Sequence, residues 1–423
     1  VRSSAASDVY KRQLERTVAV GHFPWYSALV APRDRFFVAN TSDGTVSVLD
    51  TRAGGLLRTV PVGGQPGQHV TALVADARSG QVFVATSDNI LTTLDDRTGA
   101  RVRIRSLLPC LSGLAVDGRT AHVFAGQCLG GAVRMIDARS GRLLTTIAVG
   151  ATQPHELAVD EQTERVFVAE AGGGMSVLDA TSGRLLRSFP LGVQLCLFCT
   201  PSLPRGPVLV TDGGGGPPMQ VYVLDATTGR LLRTVTLGLD SYDRTMDPQT
   251  GQIFLVGGPT GAAGTASPFS GPGRVVVLDG HTGQVLRRLS LSAIPVALAL
   301  DPRRHRLLLG MAGPIDGVGQ PTGMGSVAVL DERSLQVLRT VPAGIMPWTI
   351  IVDVRTDRAF VINANIAVSN GTFFPTHVQL PEGAWPATER WVKGRLPWLP
   401  FDVGAPPVAL TTGTVTVLDL ARL

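Results

Sequence analysis

Residues 46–63 read VSVLDTRAGGLLRTVPVG, and nearly the same phrase returns three times. It appears as VRMIDARSGRLLTTIAVG at 133–150, MSVLDATSGRLLRSFPLG at 175–192 and VYVLDATTGRLLRTVTLG at 221–238. Each copy holds an alternating apolar run ending in Leu-Asp or Ile-Asp, a short polar turn, and a second run ending in Gly. Self-similarity at a fixed period decides the architecture before any single motif can.

Working outward from the copy at 175 gives the whole unit. ELAVD (156–160) is a short run of small apolar residues, and EQTE (161–164) is a polar turn. RVFVAE (165–170) alternates, AGGG (171–174) turns, MSVLD (175–179) alternates again, ATSG (180–183) turns, and RLLRSFPLG (184–192) closes the unit. Four short strands repeating every 42 to 54 residues suit the blade of a β-propeller better than a sandwich. The turns agree: the Asp carboxylate can accept backbone N–H groups two residues on, and the closing Gly suits a left-handed backbone. First strands use Ala and Val because strands crowd together near a propeller's axis. Last strands carry charge because they form the outer edge, where charge discourages edge-to-edge pairing. The recurring Arg58, Arg142, Arg187, Arg233, Arg287 and Arg339 read as a solvated rim.

The third-strand phrase ends at Asp50, Asp95, Asp137, Asp179, Asp225, Asp279, Asp331 and Asp419, which gives eight blades. Seven is the alternative if a degenerate unit fails to form. The weakest are the fifth, whose first strand must come from VQLCLFCT (193–200), and the sixth, from SYDRTMD (241–247). The eighth has no fourth strand after Asp419, whereas LERTVAVG (14–21) reads as a fourth strand with no blade before it. The N-terminal strand is therefore expected to complete the C-terminal blade and close the ring.

A chain of 423 residues ordinarily suggests two or three domains, but a closed repeat array grows by adding units. The expectation is one all-β domain over 14–423 with an insertion at about 363–413. Residues 1–13 (VRSSAASDVYKRQ) lack an initiator Met and any repeat character, and read as a non-native leader. Any export signal would then lie upstream of the sequence. No apolar run reaches 18 residues, so no transmembrane helix is expected. The net charge of +5 is spread around the circumference rather than clustered, which weighs against a nucleic-acid partner.

FVANTSDGTVSVLD (37–50) carries a further reading. It resembles the signature of the YVTN-repeat β-propeller family, and the resemblance extends over the chain from Leu14. It implies a propeller of four-stranded blades and a periplasmic, secreted or cell-surface location, as in surface-layer and periplasmic proteins. It is similar as well to the propellers of quinoprotein dehydrogenases and nitrous-oxide reductase and to lactonase-like enzymes. Fold alone does not choose among them.

Topology restricts where a site can be. Loops between second and third strands are short in blades one to four and lengthen in blades five to eight, all on one face. Long loops are usually functional or disordered. The blade-eight insertion holds Phe373, Phe374, Trp385, Trp391 and Trp398, rings that need burial against the propeller, a ligand or a protein. A structural cap is the plain alternative. The same face carries the starts of the first strands, marked by Pro. Trp25, His69, Ser112, His155, Glu156, Tyr242 and Trp348 are expected around the mouth of the central channel. Two histidines, a carboxylate and two indoles around one opening could hold a small ligand or a metal. Ordinary structural roles are the alternative.

No C-x-x-C-H haem motif, nucleophile elbow or P-loop is present. The cofactor is left unknown, with a metal or a quinone open. A turn at DGRT (117–120) would set residue 110 opposite 127, so Cys110 and Cys128 fall within a residue of register for a disulfide; Cys196 and Cys199 form a second local pair. A bridge at 110–128 would indicate an oxidising compartment, and buried free thiols are the alternative. Two functional readings follow. One is a monomeric, non-catalytic propeller that binds a protein or small ligand through its insertion-bearing face. The other is an enzyme of lactonase, lyase or quinone-dependent type with its site at the channel mouth.

Overall fold

The computed structural model describes residues 14–64, 68–106, 111–127, 130–150, 153–170, 173–190, 208–211, 220–225, 228, 230–258, 272–314, 323–364 and 412–423. The expectations for residues 1–13, the fifth blade's first strand, the blade-eight insertion and all four cysteines lie outside them.

The repeat folds as its turns dictate. Asp50 accepts the N–H groups of Arg52 at 2.9 Å and Ala53 at 2.7 Å, and Gly54 closes the turn at φ 65°. Asp95, Asp137, Asp179, Asp225, Asp279 and Asp331 likewise accept the N–H three residues on. A second series between first and second strands uses Asp76, Asp117, Asp160, Asp247, Asp301 and Asp353, each accepting the N–H two residues on. Both series lie at the same end of the strands, so one face of the molecule is built from aspartate-capped turns.

Between the turns the strands pair as antiparallel meanders. Blade 1 is Pro24–Val30, Arg35–Asn40, Thr45–Asp50 and Gly55–Pro61, hydrogen-bonded in that order. Its inner strand has counterparts at Val70–Asp76, Leu111–Asp117, Pro154–Asp160, Asp240–Met246, Pro295–Asp301 and Pro347–Asp353. There are eight sheets, seven with four strands and the fifth with three among the described residues. The molecule is thus an eight-bladed propeller, not a seven-bladed one, and SYDRTMD does supply the sixth inner strand.

Packing closes the circle. Eight hydrophobic clusters each join one blade to the next, from the blade 1–2 cluster around Phe37, Val48, Val70 and Val84 to the blade 7–8 cluster around Leu308, Val329, Val361 and Leu418. The middle of the second strand supplies Phe37, Phe83, Phe124, Phe167, Phe254 and Phe360, all fully buried, with Leu308 in blade 7. Each such ring removes roughly 2–3 kcal/mol worth of apolar surface from water. The last sheet is Pro347–Asp353, Arg358–Asn363, Thr412–Asp419 and then Leu14–His22. Arg16 pairs with Val417, Thr17 with Thr416 and Val18 with Val415, and Arg358 holds Glu15 at 2.7 Å.

The Asn of the FVAN phrase has a structural task. Asn40 accepts the Gly21 N–H at 2.9 Å and donates to Thr45 and Ser47. Asn363 does the same in blade 8, accepting from Gly344 at 3.0 Å and donating to Thr414 and Thr416. A buried amide thus ties the end of the second strand to the third strand and to the preceding outer strand's exit.

Two sequence expectations need correction. Part of the outer-strand arginine set acts as struts rather than as a solvated rim: Arg103 donates to the Arg139 carbonyl, Arg233 to Thr282, Arg287 to Arg333 and Arg339 to Arg422, each reaching a turn of the next blade, whereas Arg58, Arg142 and Arg187 are exposed as expected. Register places Thr145, not Arg142, at this position, and Arg16 and Arg103 join the set. In blade 3 the first turn is Gly118–Ala121, with Ala121 left-handed, because Asp117 pairs with His122. That turn, with a bulge at Ser112, sets Leu111 rather than residue 110 opposite Gln127.

Removing residues 1–21 should lower the thermal midpoint and promote aggregation, compared with a truncation ending at residue 13, because it bares the edge of Thr412–Asp419. Equal midpoints would contradict closure by this strand. Asn363→Ala strands the Gly344 N–H and two threonine hydroxyls and is expected to cost about 2–3 kcal/mol in denaturant unfolding.

Candidate functional site

The face opposite the aspartate turns carries the starts of the inner strands. Second strands of blades 6, 7 and 8 end there at Gly258, Met311 and Asn363, beside Asp240, Pro295 and Pro347. The long connections from these second strands to their third strands leave from that side of the ring. Each described inner strand is bulged near its start, between Pro24 and Ser27, Val70 and Ala72, Leu111 and Gly113, Pro154 and Glu156, Ser241 and Asp243, Pro295 and Ala297, and Pro347 and Thr349. A bulge re-aims the side chain it carries. Here the bulged residues are Trp25 with Tyr26, Thr71, Ser112, His155, Tyr242, Val296 and Trp348.

These side chains divide into two halves. Trp25 stacks on Trp348 with centroids 4.6 Å apart, and Phe23 stacks on Trp25 at 5.2 Å. Trp348 and Tyr242 pack in turn on Ile294, Val296 and Met346. The result is a continuous aromatic arc from blade 6 through blade 8 to blade 1. On the far side, the Ser112 hydroxyl donates to the Pro154 carbonyl at 2.5 Å. His69 stands one residue before its strand; its N–H donates to Ser87 at 3.0 Å, and its Nδ1 is buried with no partner among the described residues. His155 belongs to the blade 4 inner strand, and its side chain lies outside the described set. Among the described residues no group of three His, Cys, Asp or Glu side chains is arranged to hold a metal ion.

One residue further in, the register places Ala72, Gly113, Glu156, Asp243, Ala297 and Thr349 at one level, and Tyr26, directly before Ser27, takes the corresponding place in blade 1. Small residues fit this crowded ring, so the polar ones stand out. Burial pushes the Glu156 carboxyl up to about 7, against the pull of the Arg244 charge. Asp243 is raised to about 6 by burial, although it accepts the Leu298 N–H and the Arg244 N–H, each at 2.7 Å. The Tyr26 phenol is pushed to about 12, first by burial and then by the charge on Glu156. Tyr26 of blade 1, Glu156 of blade 4 and Arg244 of blade 6 thus lie near enough for charge on one to act on the next. Each is half-buried, with Tyr26 packed on the blade 1–2 core and Asp243 tied to the blade 7 inner strand. Perturbed groups gathered in this way mark functional sites.

Glu156 was foreseen; Tyr26, Asp243 and Arg244 were not. Their signal lies in the sequence: where Tyr26 and Asp243 stand, blades 2, 3, 7 and 8 carry Ala72, Gly113, Ala297 and Thr349, and Arg244 stands where those blades carry Leu or Ile. SYDRTMD looks degenerate as a strand because it bears the site.

A model of the PQQ-type repeat family described as outer membrane protein assembly factor BamB matches residues 12–159 and 129–304. The chain belongs to this family. Among solved structures, it is similar to the computationally designed Ika8 protein, at 20% identity over 85% of this chain and 98% of that one, with a TM-score of 0.61. It is similar too to the hydrazine synthase of Kuenenia stuttgartiensis, at 15% identity over 71% of this chain and 95% of that one, with a TM-score of 0.54. At such identities the likeness concerns the fold alone. No curated protein matches the sequence.

Membership in a PQQ-type propeller family is thus established, and the site is specific to this chain's own departures from the repeat. Because the folded-state pKa of Glu156 lies above its ordinary value, ionising it opposes folding. The protein should lose stability through this group as pH rises from about 5 to 8. Glu156→Gln should remove that loss, so denaturant titrations should favour the variant increasingly across this range. Parallel profiles for the two proteins would remove Glu156 from the buried cluster.

Proposed function

We propose that the protein is an extracytoplasmic YVTN-type propeller that acts as a binding scaffold through its insertion-bearing face. The observation that carries this reading is the aromatic arc. Tyr242, Trp348 and Trp25 lie together on the side from which the three long connections depart. Aromatic groups clustered on one exposed face favour a partner of mixed apolar and polar character. The family's description speaks of the assembly of outer membrane proteins, which supports a protein partner and a location beyond the cytoplasm. In this reading Phe373, Phe374, Trp385, Trp391 and Trp398 extend the contact surface, and the propeller works as a monomer. A disulfide between Cys110 and Cys128 would fit the same compartment. No helix of the described residues is long and apolar enough to cross a membrane.

A catalytic reading has one observation in its favour, the Glu156 carboxyl poised near neutrality beside Arg244. The indoles do not extend it to a quinone. Trp25 and Trp348 stack on each other at 4.6 Å, which leaves no slot for a planar ring between them.

Photo-crosslinkers at the exposed Met324 on the aromatic side and at Ser140 among the aspartate turns separate the two faces. Crosslinks to a defined partner should form only from Met324 and vanish when residues 366–410 are replaced by a short Gly-Ser linker. Equal yields from both positions would refute the assignment of the face.

A further inference from the structure

We propose that the outer strand of blade 2, Arg101–Ser106, is a docking edge for an acidic segment in extended conformation, which adds to that sheet as a fifth strand. The strand reads RVRIRS and pairs on one side only, with Ile90–Asp95. Every outer strand ends its sheet, but this one inverts the pattern of the others. Arg101 stands opposite Leu94, a place where the other blades put Leu or Val. Arg105 stands opposite Leu91, where they put Val, Ile, Phe or Leu, as at Val60, Ile147 and Phe189. Ile104 lies between, where they put Thr, Ser or Arg, as at Thr59, Ser188 and Thr340. Only Arg103 keeps the place of the arginine struts.

The inversion leaves charge and apolar surface without a counterpart. Arg103 donates to the Arg139 carbonyl at 2.9 Å and is spent on blade 3. Arg101 and Arg105 are exposed, and neither makes a hydrogen bond or an ion pair among the described residues. The turn carboxylates on either side are committed to their own turns, Asp95 to the Thr98 N–H and Asp137 to the Ser140 N–H, each at 2.7 Å. Val102 and Ile104 are 53% and 40% exposed. Leu94 belongs to the blade 1–2 cluster and Leu91 to the blade 2–3 cluster, so Arg101 and Arg105 lie on opposite faces of the sheet.

These features select the occupant. A strand added to a sheet edge gains affinity from backbone hydrogen bonds and specificity from the side chains set beside those of the edge. Like charges directly opposite destabilise such a pair and opposite charges stabilise it. The arginines that keep a second copy of this strand away therefore favour one with carboxylates on both faces and an apolar residue beside Ile104. An anionic membrane surface would engage the arginines and make no use of the open backbone row. The proposal does not rest on the scaffold reading, because this edge belongs to the circumference and not to the insertion-bearing face.

Fluorescence polarisation of labelled peptides with the full chain tests it. The probes are TEEVEVT, its lysine counterpart TKKVKVT, and TEEPEVT, which keeps the charge but carries a proline that interrupts strand pairing. TEEVEVT should bind at low ionic strength and be released by salt, while the other two should not bind. Arg101→Glu combined with Arg105→Glu should weaken TEEVEVT about tenfold, and Arg184→Glu, at an exposed arginine of blade 4, should leave it unchanged. Should the charge reversal disturb folding, the milder pair Arg101→Gln and Arg105→Gln should still weaken binding about threefold. Equal binding of TEEPEVT or TKKVKVT, no loss in either double variant, or no binding of TEEVEVT at millimolar concentration would each overturn the proposal. Capture by phosphatidylglycerol vesicles that depends on Arg101 and Arg105, without binding of TEEVEVT, would assign the edge to an anionic surface and overturn it as well.

Discussion

Everything in this molecule depends on one pairing, that of Leu14–His22 with Thr412–Asp419. A blade covers its neighbours with both faces, so an open array would leave two apolar faces bare, and only a closed ring leaves none. Closure here joins the two ends of the chain instead of relying on the last blade's own hairpin. The seam is reinforced where it would otherwise be weakest. Val20, Phe36, Val415 and Val417 fill the blade 8–1 interface, and the Arg358–Glu15 pair latches its outer edge. The Arg355 guanidinium also reaches across to the Ala31 carbonyl of blade 1.

The fold was legible because its determinants are local and repeated. An Asp that caps two N–H groups and a residue that closes the turn need only a few positions, and the chain writes them in every blade. Alternation then sets which side of each strand faces a neighbour, and the orphan strand at Leu14 announces closure. What the sequence hid were relations between blades. The arginine struts look like surface charge because their acceptors are backbone carbonyls about 36 to 83 residues away. In blade 3, register slipped through a left-handed Ala121, a conformation that composition does not advertise.

The candidate site was half legible for a related reason. Proline marks the strand starts, so the bulged ring of Trp25, Tyr242 and Trp348 could be named from spacing. His69 was drawn into that ring by its type; it stands one residue before its strand, and the bulge of that blade falls at Thr71. The deeper level has no motif of its own. It is visible only once strands are aligned by the turn Asp, when Tyr26, Glu156 and Asp243 replace residues that elsewhere are small.

That replacement is informative because it is costly. Burying a carboxyl near a propeller axis opposes folding unless it is protonated or paired, and burial raises both Glu156 and Asp243 despite the Arg244 charge and the two N–H groups that Asp243 accepts. A repeat array could use Ala at these places, as blades 2 and 7 do, and lose nothing in packing. Polar groups retained at three separated blades on one level are not explained by any single blade's stability. They come within reach of one another's charge only because the ring is closed. The strand pairing that completes blade 8 therefore does more than protect an edge: it brings Tyr26 of the first blade, Glu156 of the fourth and Arg244 of the sixth around the same axis.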